Sequence, residues 1–269
     1  MSFRRADWDA DAYHRISGPQ FAWGQRVLAR LELRGDELVL DAGCGTGRLT
    51  SLLAPRVPAG RVIATDRSAA MTRSARTLLP DEVGVVQADL LALPFRGAFD
   101  VIFSTATFHW ILEPAGLHAQ LFAALKGGGR LHAQCGGAGN LARLHGRMHA
   151  LMADARYADR YTDWREPWHF ATPEATAASL EAAGFTGIRC DLEDAPTPFA
   201  DEAAYREFTD RVVLADYFTR VSAKEREDML DVLCDAAAAD EAPYTLDYVR
   251  LNIHASRPPA GEPARGVAR

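Results

Sequence analysis

The chain of 269 residues has the length of one large α/β domain, or of one domain with an insertion, and it is long enough to bury a substantial core. Its 48% hydrophobic and 25% charged residues exclude disordered, collagen-like and coiled-coil proteins. The formal net charge of −6 disfavours a broad surface for duplex nucleic acid. Its four cysteines form no C-x-x-C pair, which disfavours a zinc knuckle or a disulfide framework.

The amino-terminal segment has none of the features of a targeting sequence. Residues 1–9 turn acidic at once, where a signal peptide would carry an apolar core. No apolar run reaches the length of a membrane helix, which is about 18 residues. We therefore expect a cytoplasmic protein with no membrane partner.

The first half of the chain alternates strand and helix signals. A helix is predicted first, because four apolar residues, Trp23, Val27, Leu28 and Leu31, fall at helical spacing. Short β-branched runs then recur, separated by helical stretches such as the one that Ser68 opens as an N-cap. This alternation predicts an open, doubly wound sheet with its ligand crevice beyond the carboxyl ends of the strands. The runs are 38–40, 61–64, 83–86, 101–103 and 130–133.

The second half is more helical. Thr172 is predicted to cap a helix that ends at Gly184, and Ser222 starts a capping box inside a helical lid at about 200–240. Strand candidates at 188–192 and 244–254 bracket this lid, and the alternation in the second one predicts an antiparallel edge. The tail from Arg257 is rich in Pro, Gly and Ala, so we expect it to be disordered.

The clearest functional signal is the stretch Asp41-Ala42-Gly43-Cys44-Gly45-Thr46-Gly47 after the first predicted strand. A dinucleotide fingerprint requires a glycine where Arg48 stands, and a phosphate-binding Walker loop requires a Gly-Lys-Ser or Gly-Lys-Thr that does not follow. The remaining interpretation is a tight turn whose backbone approaches a small ligand without phosphate. Asp41 is then available to a cationic or amine group of that ligand.

Acidic residues also follow the next two predicted strands. Asp66 can accept both hydroxyl hydrogens of a ribose, and Asp89 or its flanking backbone can read an adenine amino group. No basic residue is placed for a phosphate. This set suits a ligand that carries ammonium, sulfonium, ribose and adenine, namely S-adenosylmethionine.

These residues, together with Phe99-Asp100-Val101-Ile102-Phe103-Ser104, resemble the ordered motifs of the class I S-adenosylmethionine-dependent methyltransferases. The resemblance covers about half of the chain. It implies a Rossmann-like α/β fold with a doubly wound seven-stranded sheet, mostly parallel with an antiparallel last strand, and a helical lid insertion. The residues that it assigns to the cofactor are Tyr13, Asp41, Gly43, Gly45, Gly47, Asp66, Arg67, Asp89, Leu90 and Ser104.

A narrower resemblance is to the trans-aconitate methyltransferase group, which includes enzymes that methylate small carboxylates. It rests on segments 8–13, 108–110, 168–173 and 248–251, and it implies that the amino-terminal aromatic segment folds over the cofactor. Relatives often carry Asn where this chain has Thr105. The residues assigned to the acceptor are Trp8, His109, Trp110 and Trp168.

The expected domain plan has four parts. Residues 1–35 form an amino-terminal helical cover, and residues 36–140 form the S-adenosylmethionine-binding core. Residues 141–256 hold the rest of the core with the lid, and residues 257–269 form the disordered tail.

The expected reaction is in-line methyl transfer to a small molecule, to a carboxylate, a hydroxyl or an activated carbon. His109 follows strand four and is the candidate catalytic base for acceptors that must lose a proton, or else a wall of the pocket; a carboxylate needs only orientation. No metal site is expected, since His145 and His149 lack a third ligand and fit a solvated helix face better. The partners expected are a small acceptor and no nucleic acid, in a monomer or homodimer.

Two alternatives remain open at this stage. A protein of this fold can bind S-adenosylmethionine and catalyse chemistry other than methyl transfer, such as a cyclisation. An RNA or protein methyltransferase is the other, although it would be expected to carry a basic aromatic groove or an added binding module.

Overall fold

A computed structural model describes residues 18–259, and one seven-stranded sheet organises them. The sheet has the order β3-β2-β1-β4-β5-β9-β6, while β7 and β8 form a separate pair. Within the seven-stranded sheet, strand β9 is antiparallel to both of its neighbours, and the other neighbouring pairs are parallel. The strands are β1 Leu38–Ala42, β2 Arg61–Asp66, β3 Gly84–Gln87, β4 Phe99–Thr105, β5 Leu125–Gly136, β6 Thr186–Asp194, β7 Thr197–Pro198, β8 Thr245–Leu246 and β9 Val249–Ser256.

Helices cover the sheet and form a separate unit beyond its carboxyl edge. The helices are α1 Gly18–Arg30, α2 Arg48–Leu53, α3 Ala69–Leu78, α4 Pro114–Ala124, α5 Ala142–Met152, α6 Pro173–Ala182, α7 Glu202–Phe208 and α8 Ala223–Ala238. No helix in the described range is long and apolar enough to cross a membrane.

The expected Rossmann-like fold is confirmed, and each of the five β-branched runs lies in a strand, except for Val83, which directly precedes β3. The apolar residues of β1 and β4 are buried on both faces of the sheet, as central parallel strands require. Asp100 accepts a hydrogen bond at 2.8 Å from the backbone N–H of Leu38, which ties the start of β4 to β1. The predicted helix starts are also confirmed: Ser68, Thr172 and Ser222 accept capping hydrogen bonds.

The segment 244–254 differs from its prediction as a continuous antiparallel edge. Tyr244 has a positive φ of 50°, and the chain divides into β8 and β9. Strand β9 lies inside the sheet, and β6 is the outer strand. The polar alternation misled the prediction because the polar face of β9 is occupied by hydrogen bonds: Asn252 accepts from Gln134 and donates to Asp191.

The helical lid predicted at about 200–240 is helical. It contains α7, a π-helical turn at Thr209–Val213, a short 3-10 helix at Tyr217–Arg220, and α8 with its predicted capping box. Tyr205 and Tyr217 are fully buried, so this unit has a core of its own. Arg257, placed in the disordered tail by composition, is held in the fold by hydrogen bonds to carbonyl groups of Phe122 and Leu125.

Candidate active site

The glycine turn after β1 approaches its surroundings closely on one side and is open on the other. Gly43, Gly45 and Gly47 all have positive φ, at 83°, 55° and 85°. A Cβ on Gly43 would lie 2.2 Å from the Thr107 hydroxyl oxygen, whereas a Cβ on Gly45 would meet no atom within 4 Å. The turn therefore needs glycine for its backbone, and it leaves main chain accessible at Gly45.

Asp66 ends β2 beside this turn. Its two carboxylate oxygens accept hydrogen bonds from the backbone N–H groups of Gly45, at 3.0 Å, and Ser68, at 2.9 Å. Each carboxylate oxygen has a second lone pair, so this geometry leaves capacity for two ribose hydroxyls. Burial raises the pKa of Asp66, although the two backbone hydrogen bonds oppose that shift.

Asp41 lies at the base of the turn and is buried, with 3% of its surface exposed. The Thr50 hydroxyl donates to it at 2.6 Å. Burial, with a smaller contribution from the nearby Asp66, raises the pKa of Asp41 to about 7 against the opposing hydrogen bond from Thr50. A buried carboxylate of this kind is stabilised as an anion when a cationic group binds next to it, so Asp41, Gly45 and Asp66 together fit S-adenosylmethionine.

The other residues assigned to the cofactor differ in their exposure and in their hydrogen bonds. Asp89 is exposed and accepts from the Leu91 N–H at 2.9 Å, so its carboxylate caps a short 3-10 helix. Leu90 is buried, and Ser104 donates to the Ala42 carbonyl at 2.6 Å between β4 and β1. Arg67 is exposed, with its carbonyl accepting from Gln87. Tyr13 and the acceptor residue Trp8 lie outside the described residues.

His109 lies on a 3-10 helix, Phe108–Trp110, that follows β4. The backbone N–H of Gly136, at the end of β5, donates to its Nδ1 at 3.3 Å. Burial, together with the charge of Arg250, lowers the pKa of His109 to about 3. The ring is therefore neutral, with its proton on Nε2, which makes it a hydrogen-bond donor and disfavours a base that works near neutral pH. The base role stays a prediction.

Arg250 is a candidate site residue to which the sequence analysis gave no role. It pairs with Gly136 in the register of β9 and β5, at the same sheet edge as His109. Only 3% of its surface is exposed, and its guanidinium lies 4.6 Å from the centre of the Trp23 ring. No signal in the sequence singled it out, because polar alternation along a strand normally indicates a solvated face.

An aromatic cluster adjoins His109 and consists of Trp110, His145, Trp168 and Phe170. Trp110 contacts Trp168 edge-on with ring centres 5.3 Å apart, and His145 stacks on Trp168 at 5.2 Å. Phe170 contacts both histidines, each at 5.8 Å. The structure thus brings three predicted acceptor residues, His109, Trp110 and Trp168, together with Phe170 and His145.

Glu166 accepts hydrogen bonds beside the aromatic cluster, and one of its donors belongs to the helical lid. Its carboxylate accepts from the Tyr217 hydroxyl at 2.6 Å and from the Trp164 indole at 3.1 Å, and it lies 2.7 Å from His149 Nε2. Within residues 18–259 no group of three metal-ligating side chains occurs. His145, expected on a solvated face, instead packs in the aromatic cluster, while His149 is exposed.

Comparisons with known proteins agree with this geometry. A family model described as a methyltransferase domain matches residues 39–129. A trans-aconitate 2-methyltransferase of Paracidovorax citrulli is 32% identical over 81% of this chain and 93% of its own length. An uncharacterised methyltransferase of Schizosaccharomyces pombe is 27% identical over 93% of this chain and 98% of its own length.

Solved structures show the same fold at low identity. A structure described as a methyltransferase of Bacillus halodurans has a TM-score of 0.61 and 19% identity over 88% of this chain and 99% of its own. With its glycine turn, strand-end acids and sheet order, and with a relative matched over nearly its full length, the chain belongs to the class I S-adenosylmethionine-dependent methyltransferases, and S-adenosylmethionine is its cofactor.

Proposed function

We propose that this enzyme methylates a carboxylate of a small organic acid and releases a methyl ester. The observation that carries the proposal is the buried guanidinium of Arg250 at the same sheet edge as His109. An arginine stays charged at any physiological pH and presents donors that match a carboxylate in a bidentate manner. The Arg250 guanidinium would supply the positive charge that complements a carboxylate acceptor.

The state of His109 supports the same acceptor. A hydroxyl or an activated carbon must lose a proton during methyl transfer, and a histidine whose pKa is lowered to about 3 is a weak base. A carboxylate is already ionised and needs only orientation. The Nε2–H of a neutral His109 can donate to the oxygen that does not react.

The cofactor supplies an electrophilic methyl group, and this chain's residues hold the two reactants. Asp41, Gly45 and Asp66 would bind the cofactor, while Arg250 and His109 would orient the acceptor. The aromatic cluster beside them would exclude water, which strengthens the charged contacts in the site. Similarity to enzymes named trans-aconitate 2-methyltransferase supports a small carboxylate as the acceptor.

The test is a methyl-transfer assay with a panel of small carboxylic acids, aliphatic, unsaturated and aromatic, trans-aconitate included. Each acid is paired with its carboxamide, which keeps the shape and removes the negative charge. We expect S-adenosylhomocysteine to form only with acids, and the transferred methyl group to be released as methanol in alkali, as an ester requires.

Two results would contradict the proposal. One is methylation of the carboxamides as readily as the acids. The other is an alkali-stable product, which would indicate transfer to nitrogen or carbon. Cofactor binding measured by calorimetry on the same preparation shows whether a sample that forms no product is folded and able to bind S-adenosylmethionine.

A further inference from the structure

His145 has a polar atom that the fold itself does not use. The side chain projects from α5 and stacks on Trp168 and Phe170, with interplanar angles of 16° and 9°. Its Nε2 is buried, and no hydrogen-bond partner for it exists among residues 18–259. Buried polar atoms in native proteins nearly always have a partner, so an unpartnered atom beside an active site points to a ligand group.

The surroundings of His145 indicate which charge a ligand group bound to its Nε2 would carry. Burial lowers the pKa of His145 to about 4, with His149 acting in the same direction and Glu166 and Asp247 in the opposite one. The imidazole is therefore neutral at physiological pH. The carboxylate of Glu166 nearby disfavours an anion, and a neutral ring gives no ion pair to attract one. A neutral hydrogen-bonding group is the match.

Phe170 connects His145 to the site of methyl transfer. The centre of its ring lies 5.8 Å from that of His109 and 5.8 Å from that of His145. It approaches the backbone at Gly136 so closely that a Cβ there would lie 2.6 Å from the ring. Gly136, whose N–H donates to His109, therefore also lies against Phe170, and the two histidines share one aromatic neighbour.

We propose that His145 is a specificity-determining residue that hydrogen-bonds a neutral polar substituent of the acceptor, a hydroxyl or a carboxamide, remote from the reacting carboxylate. This inference rests on the proposed function, because it takes the reacting group to be the carboxylate near Arg250. The acceptor class is accordingly a small acid with a flat or extended body and a neutral polar group at its far end.

The test compares acids that differ only in the remote group: benzoate with para-hydroxybenzoate, and butyrate with succinamate, within the panel described above. For the wild-type enzyme we expect kcat/KM to be at least about tenfold higher for the substituted acid in a pair. His145→Leu should reduce that ratio to about one, mainly through KM, and His145→Asn should restore part of it.

Gln120→Leu is the matched control, because Gln120 also has a buried polar atom without a partner in the described range, on α4. It should leave the ratio unchanged, and the affinity for S-adenosylmethionine should be unchanged in all three variants.

The inference is overturned if the wild-type ratio is near one, or if His145→Leu keeps the wild-type ratio while acids are still methylated. If no acid in the panel is methylated at all, the proposed function fails, and this inference fails with it. This outcome is distinguishable from a failure of the inference alone, in which acids are still methylated.

Discussion

The two halves of the active site are built in different ways. The cofactor half comes mainly from one continuous stretch, from Asp41 to Leu90, where each site residue lies at or just after the carboxyl end of a strand. The proposed acceptor half combines Trp23, His109, His145, Phe170 and Arg250, which come from five separate segments. The first half is fixed by local turns and strand order, whereas the second exists only after the helical unit and β9 have packed on the sheet.

This comparison explains what could be predicted from the sequence. The spacing of Gly43, Gly45 and Gly47 and the acids after β2 and β3 identify the cofactor half, because the fold places parallel strand ends at one edge. His109 was identifiable by the same rule, since it follows β4. The five parallel strands could be predicted from their β-branched runs, because parallel strands that are buried on both faces have nearly continuous apolar sequences.

Arg250 and His145 were not predicted in their roles because their environment is tertiary. Arg250 belongs to a strand that alternates polar and apolar residues, and such a pattern normally indicates a solvated face. Here the polar face carries a chain of side-chain hydrogen bonds from Gln134 through Asn252 to Asp191. His145 lies on a helix beside exposed residues, and only the fold shows that Trp168 and Phe170 cover it.

The largest expected effect is in the cofactor half. Asp66→Ala removes a carboxylate that holds Gly45 and Ser68 and has capacity for two ribose hydroxyls. Charge-assisted hydrogen bonds contribute about 1.5–3 kcal/mol each, so affinity for S-adenosylmethionine should fall by about 100-fold or more. Calorimetric titration measures the affinity for S-adenosylmethionine, and Asp81→Ala at an exposed site is the control. Equal affinity in the two variants would contradict the assignment of Asp66 to the cofactor.

The next effect is a pH dependence in the same half. The pKa of Asp41 is raised to about 7 in the free protein, and a cationic cofactor favours its ionised form. Affinity for S-adenosylmethionine should be level above about pH 7 and fall below it, by up to about tenfold per pH unit. Calorimetry between pH 5 and pH 8 tests this expectation, and Asp41→Asn should remove the dependence. A flat profile in the wild type would refute it.

A smaller effect is expected at His109, in the acceptor half. If the acceptor is a carboxylate, His109→Gln should lower kcat by less than about tenfold, since the glutamine amide can replace the Nε2–H donor. A catalytic base contributes about 100-fold or more, and its loss would also remove an ionisation from the pH–rate profile. Steady-state kinetics across pH 5 to pH 9 distinguish these outcomes, and a loss of 100-fold would restore His109 as the base.

The last effect concerns the stability of the scaffold beneath both halves. Buried His118 lies 2.8 Å from the Ser179 hydroxyl, and burial lowers its pKa to about 4. Because the unfolded chain binds the proton more tightly, this group leaves stability unaffected above about pH 6.5 and reduces it as pH falls towards 4, by up to about 1.4 kcal/mol per unit.

Urea unfolding at several pH values measures that slope. The raised pKa of Asp41 acts in the opposite direction over part of the same range, so the informative quantity is the difference between wild type and His118→Gln. The variant should lose less stability on acidification, and identical slopes would show that His118 is not buried as described.

The separation of the two halves is tested most directly by one measurement on Arg250→Lys, with Arg189→Lys at an exposed position of β6 as the control. Calorimetry gives the Kd for S-adenosylmethionine, and steady-state kinetics on the same sample give kcat/KM for the preferred acid. Loss of the bidentate geometry should lower kcat/KM by about 10-fold to 100-fold while the Kd stays within about twofold of wild type. An unchanged kcat/KM, or a parallel loss of cofactor affinity, would contradict the account of Arg250 as the residue that binds the acceptor carboxylate.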